Sequence, residues 1–131
     1  MSGKVTEWQS GKVKSYEDLE VWKLSIALVK SIYKFSSYFP AEEKFGLTSQ
    51  IRRAAVSVPS NIAEGSERNG TKEYIQHIYI SIGSLAEIKT QVRIAIELEF
   101  IQPSEAEKLI ADISSIDRML KALATSLKKL L

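Results

Sequence analysis

From residue 109 onward, apolar side chains return at alternating four- and three-residue steps: Leu109, Ile113, Ile116, Leu120, Leu123, Leu127 and Leu130. Only a helix brings such positions to one side, because a strand shows its apolar residues at a period of two. Sustained over three heptads, the alternation describes a seam packed left-handed and near-antiparallel against other helices. Ile110, Ala124 and Leu131 widen it. Pro103 and Ser104 restart the chain just before this helix, and Ser104 with Glu107 has the S-x-x-E spacing of a capping box.

Three further helices precede it. The first is expected from about Tyr16 to Tyr38, with Ser15 as cap and Glu17, Asp18 and Glu20 at the positive end of the dipole. Leu19, Trp22, Ile26, Val29 and Tyr33 form one apolar stripe, and Leu24, Leu28, Ile32 and Phe35 an adjoining one. Pro40 ends it, since the residue before a proline is pushed out of the helical region. The second element opens at Pro40 with Glu42 and Glu43, is interrupted at Gly46, and resumes with Thr48 as a candidate cap. A helix kinked at Pro59 is expected over about 47–64, terminated by Gly65. The third runs from Thr71 to about Phe100, with Ile75, Ile78, Ile82, Leu85, Val92 and Ile96 along its inner face. Four helices with short links pack as antiparallel neighbours. The expected fold is an all-α, antiparallel up-and-down four-helix bundle over residues 16–131, behind a flexible polar arm over residues 1–15.

Charge is informative once the arm is set apart. The chain carries +2, with 18 basic and 16 acidic residues. Lys4, Lys12 and Lys14 against Glu7 put that excess in the arm and leave the bundle neutral. A strong non-specific nucleic-acid binder shows a large basic excess, so such a role would need local clustering. No apolar run approaches the roughly 18 residues that span a bilayer, and no signal core opens the chain. With no cysteine, a cytoplasmic protein without membrane contact is expected.

Catalytic chemistry has little to stand on. Without cysteine there is no thiol nucleophile, disulfide or zinc–thiolate site. His77 is the single histidine, four residues after Glu73, so the paired Glu-x-x-His motifs of di-metal bundles are missing. No P-loop and no G-x-G-x-x-G occurs. No enzyme activity, cofactor or metal is expected.

Two polar stripes are more than bundle stability demands. Gln50, Arg53, Ser57, Asn61 and Glu64 recur at helical spacing on helix two, and Ser84, Glu87 and Gln91 answer on helix three, with the small residues Ser81 and Gly83 nearby. The expectation is a semi-buried network in which Arg53 bonds Glu87, Glu64 or both, because an unpaired buried charge costs several kcal/mol. Asn61 would tie the backbone near Pro59. A solvated face and a ligand site are the alternatives. Arg52, Arg53, Arg68, Lys72, Lys89 and Arg93 are candidates for holding phosphates if they share a surface; interleaved with Glu67, Glu73 and Glu97 they read more simply as solvated charges. Aromatic residues exceed what one seam holds, and Tyr74, Ile80 and Ile94 lie off the main stripe of helix three, which points to self-association.

The segments Tyr16-Glu-Asp-Leu-Glu-Val-Trp22, Phe39-Pro40, Gln50-Ile-Arg-Arg-Ala-Ala55, Val58-Pro-Ser-Asn-Ile-Ala-Glu-Gly65 and Gly83-Ser-Leu-Ala-Glu87, in this order, resemble the four-helix-bundle family encoded in intervening sequences of bacterial 23S ribosomal RNA genes. The resemblance covers about residues 16–125. It implies a ring-shaped homopentamer, and a kinship with the accessory variability determinant of diversity-generating retroelements, a branch thought to contact a reverse transcriptase and nucleic acid. It implies no activity. Ser81 departs from the alanine expected in the family pattern, and the neutral body departs from the basic surface of the retroelement branch. The function expected on these grounds is a non-enzymatic oligomeric scaffold or adaptor presenting a surface to RNA or a protein partner; the alternative is an RNA- or DNA-binding protein.

Overall fold

A computed structural model describes residues 15–131. Nearly all of the expected arm, residues 1–14, lies outside them. Four helices follow one another: α1, Glu20–Ser36; α2, Leu47–Ser66; α3, Thr71–Glu97; and α4, Pro103–Lys128. Two single 3₁₀ turns, Tyr16–Asp18 and Ala41–Glu43, precede α1 and α2. No strand occurs among the described residues.

Several boundaries differ from the sequence expectation, each for a local reason. Ser15 does act as a cap, its Oγ accepting the Glu17 N–H at 3.0 Å, but what it caps is the 3₁₀ turn. Leu19 is then extended, with ψ of 127°, and only afterwards does α1 begin. Thr48 caps nothing. Gly46 occupies the cap position of α2, and the Glu43 carboxylate reaches forward to accept the Leu47 N–H at 3.0 Å, a negative charge placed at the positive helix end. The capping box of α4 is Gln102 with Glu105, the Gln102 N–H donating to Glu105 Oε1 at 3.0 Å. Pro103 decides between this pair and Ser104–Glu107, because proline suits the first helical position and so makes its predecessor the cap.

Gly65 does not terminate α2; it lies buried inside the helix. A Cβ there would sit 2.6 Å from the His77 Cβ and 3.2 Å from Tyr74 Cδ1. Glycine is required by the close approach of α3, not by a helix end. Gly83 is the opposite case. It is exposed, and a Cβ would meet nothing within 4 Å, so it brings no helices of this chain together.

The core runs the length of the bundle. Leu28 and Ile32 of α1, Ile51, Val58 and Ile62 of α2, Ile78, Leu85, Ile88 and Val92 of α3 and Ile113, Ile116 and Leu120 of α4 are all buried. The α4 seam is inward as its period requires, up to Leu127; Leu130, past the helix end, is exposed. On α1 the outcome is narrower than expected. Val21, Ser25, Leu28, Ile32 and Phe35 face inward, while Leu24, Ile26 and Tyr33 are exposed. Contacts descend along one helix as they climb the next. Ser57, Val58 and Asn61 of α2 meet Ser84, Ser81 and His77 of α3.

The end of α3 stores strain. Glu99 adopts φ of 62°, and the Phe100 and Glu99 N–H groups donate to the carbonyls of Ala95 and Ile96 at 2.9 and 3.0 Å. That pair of bonds is a Schellman closure, which favours glycine at the left-handed position. Two substitutions test these backbone readings by urea unfolding. Gly65→Ala should cost about 1–3 kcal/mol through overpacking. Glu99→Gly should gain about 0.5–1 kcal/mol, since roughly 1–2 kcal/mol of left-handed strain outweighs the added chain entropy.

Candidate functional site

The seam between α2 and α3 holds the most polar groups in the interior. Its centre is Ser57. The Ser57 Oγ accepts hydrogen bonds from Ser84 Oγ at 2.9 Å and from Asn61 Nδ2 at 3.0 Å, and the same Asn61 amide donates to the Ser57 carbonyl at 2.9 Å. A carbonyl can only accept, so these contacts fix which end of the Asn61 amide faces Ser57. Its Oδ1 then points at His77 Nδ1, 2.9 Å away, which places the imidazole proton on Nδ1. Glu64 Oε1 lies 3.6 Å from that nitrogen. One turn further along α3, the buried Ser81 Oγ donates to the Val58 carbonyl at 2.8 Å, immediately before Pro59.

Pro59 carries no N–H, so the Ala55 carbonyl loses its usual helical donor. The helix nonetheless continues from Leu47 to Ser66 through it. The bonds from Ser81 and Asn61 cross or brace the same turn, which is how this segment stays ordered around a proline. Beside it, burial pushes the Tyr74 phenol up to about 12, so the ring packing near Gly65 stays un-ionised at neutral pH.

Of the residues expected to form the network, Ser57, Asn61 and Ser84 do so, and Glu64 joins at its exposed rim. The expected arginine–carboxylate core does not form. Arg53 is exposed and lies within 4.0 Å of no carboxylate among the described residues. Glu64 turns instead to Arg68 at 3.7 Å and to His77. Gln50, Arg53 and Glu87 line a polar notch of about 380 Å³ with Ser57 and Ser84 as its floor. Arg53 and Glu87 thus flank one opening without closing on each other, because α2 and α3 project them outward to water where a pair gains little. His77 takes the place assigned to Arg53, a role its solitary position in the sequence did not signal.

The six basic candidates are not gathered on one surface. Arg52 is tied to α1: its Nε donates to Ser36 Oγ at 2.8 Å, its Nη2 to the Tyr33 carbonyl at 3.2 Å, and its guanidinium stacks 4.5 Å from the Tyr33 ring centre. Arg68 lies between Glu64 and Glu73, 3.7 Å from each. Lys89 and Arg93 are exposed one turn apart on α3, and Lys72 lies about 25 Å away along the same axis.

Stability measurements separate the two views of the seam. Asn61→Ala should cost about 1–3 kcal/mol, since it leaves partly buried donors and acceptors on Ser57 and His77 unpaired. Arg53→Gln should change stability by no more than about 0.5 kcal/mol, as for other exposed sites. The reverse order would restore the arginine-centred network.

The comparisons with known proteins agree on the fold. A crystal structure of a protein with unknown function from the S23 ribosomal protein family of Bacteroides thetaiotaomicron has a TM-score of 0.74 and 20% identity, over 79% of this chain and 97% of that one. At this identity the likeness concerns architecture alone. No curated protein matches the chain. The model of the 23S rRNA-intervening sequence protein family matches residues 17–122. That span takes in all of α1, α2 and α3 and most of α4, and on it the chain belongs to the 23S rRNA-intervening sequence protein family.

Proposed function

We propose that this protein is a non-enzymatic scaffold or adaptor of the cytoplasm. In this reading its four helices run up and down, its copies associate into a ring-shaped homopentamer, and the assembly presents a surface to RNA or a protein partner. The descending contacts between α2 and α3 support the up-and-down course. The family resemblance supplies the ring. One observation carries the association: α3 leaves apolar side chains exposed on its outer side among its charged ones. Its inner side fills the core, while Tyr79, Ile80 and Ile94 are 45%, 49% and 40% exposed on the outer side. Large apolar side chains held half in water gain by burial against another copy.

The polar seam fits the same reading. Its serines and Asn61 satisfy one another, and His77 is engaged by Asn61, so the interior polar groups hold α2 to α3 and are not poised for proton transfer. No helix among the described residues is long and apolar enough to cross a membrane.

Analytical ultracentrifugation at micromolar concentration should find a particle of about five 14.7-kDa chains. Ile80→Glu with Ile94→Glu should convert it to monomers that keep their helical circular dichroism, because buried carboxylates without partners cost several kcal/mol each. A wild-type monomer at that concentration would sink the reading.

A further inference from the structure

Between the end of α1 and the start of α2 runs a groove of about 620 Å³. Tyr33, Lys44, Phe45, Arg52, Arg53 and Val56 line it, with the hydroxyls of Thr48 and Ser49 between them. No carboxylate faces it. Glu43, on the adjoining turn, is engaged by the backbone of Leu47. Three cations therefore line one partly apolar groove of a bundle that is neutral as a whole.

The aromatic rings are placed unusually. Phe45 is 89% exposed, the most exposed large apolar side chain among the described residues, and Lys44 Nζ stands 5.4 Å from its ring centre. Tyr33 is 43% exposed, with the Arg52 guanidinium stacked on it. Each ring thus carries its own cation. Arg53 adds a third, with no ion pair among the described residues. Folding gains nothing from a phenyl ring held almost wholly in water, so the ring's use lies outside this chain's core.

We propose that this groove binds single-stranded nucleic acid, with unpaired bases stacking on Phe45 and on the exposed edge of Tyr33 while Lys44 and Arg53 hold the flanking phosphates. The pairing of ring with cation matches a nucleotide, which offers a π-face and an anion within one residue. A duplex hides its base faces and cannot use the rings. The charged partners are few, so binding is modest and salt-sensitive, in keeping with a neutral body. The inference deepens the adaptor reading above by assigning the partner class and the surface, and it moves the nucleic-acid role from the dispersed Arg68, Lys72, Lys89 and Arg93 to one groove.

The test is fluorescence anisotropy of the full chain with labelled 12-mers, oligo(U) and oligo(dT), against a 12-base-pair duplex, with sedimentation run in parallel. Both single strands should bind more tightly than the duplex, and the two arms show whether the 2′-hydroxyl matters. The slope of log affinity against log salt should be about −1.4, from two phosphates held. Phe45→Ala should weaken binding about tenfold with sedimentation unchanged, and Arg53→Gln should flatten the salt slope by about 0.7. Equal binding of duplex, no binding at 100 µM protein (on the order of a non-specific Kd), or tighter binding of a poly-glutamate peptide than of oligo(U) would overturn the assignment. So would a Phe45→Ala chain that loses its oligomeric state, which would make the ring part of a contact between copies. An intact pentamer that ignores oligonucleotides refutes the groove alone, whereas a monomer refutes the scaffold.

Discussion

The closeness of α2 to α3 at Gly65 governs the rest of the polar architecture. With no Cβ on that residue, the His77 side chain can approach to a distance that any other residue there would forbid. His77 is thereby brought within 2.9 Å of Asn61, and the serines further along the same two helices fall into bonding range in turn. Each bond is worth only about 1 kcal/mol net. Their joint effect is larger in a different sense: they specify one register for two helices whose apolar faces alone would tolerate a slide. Pro59 makes that specification necessary, because it removes a rung of the α2 ladder in the same stretch.

The sequence was most legible where one periodicity governs many residues. The α4 seam from Leu109 to Leu127 is buried as its spacing requires, because packing rewards every member alike. Legibility fell where a residue type has two uses. Glycine after a run of helix can be an end or a close approach, and Gly65 is the latter. Ser104–Glu107 and Gln102–Glu105 share the capping spacing, and only the preference of Pro103 for the first helical position separates them. Arg53 shows a further limit. Helical spacing placed it correctly beside Ser57, Ser84 and Glu87, all of which line one notch, but spacing does not say whether a long side chain folds inward or reaches for water. The desolvation penalty of a charge decided for water. His77 filled the vacancy because its short, rigid ring reaches Asn61 without leaving the seam.

One interior group stays unsatisfied by this arrangement. Gln91 is buried and its Oε1 has no hydrogen-bond partner among the described residues. Sequence placed Gln91 on the same stripe as Ser84 and Glu87, and that location is right. The bonds, however, concentrate between Ser57 and His77, and do not extend to the Gln91 end of the seam. The polar bonds thus gather near the Gly65 crossing, and toward the start of α2, where the Arg53 notch and the aromatic groove open, buried apolar residues such as Ile51, Ile88 and Val92 hold the seam.

A comparison of the helical glycines Gly65 and Gly83 bears on the proposed association. Glycine inside a helix costs about 1 kcal/mol relative to alanine. At Gly65 the cost has an evident return in the approach of His77. At Gly83 the chain offers none: the site is exposed and nothing lies within 4 Å of a built Cβ. Gly83 falls on the outer side of α3 between Ile80 and Ile94, with Ala86 also exposed there. The two isoleucines lie about 21 Å apart along α3, with the small residues Gly83 and Ala86 and the polar Glu87 and Thr90 exposed between them. Small residues at such a position let a second helix come near enough for the isoleucines to pack, much as Gly65 does within the chain. An interface of ordinary size needs about 800 Å² per partner, more than three side chains supply, so such a contact has to extend over a whole helix face. That requirement fits a helix of another copy of this chain as the partner.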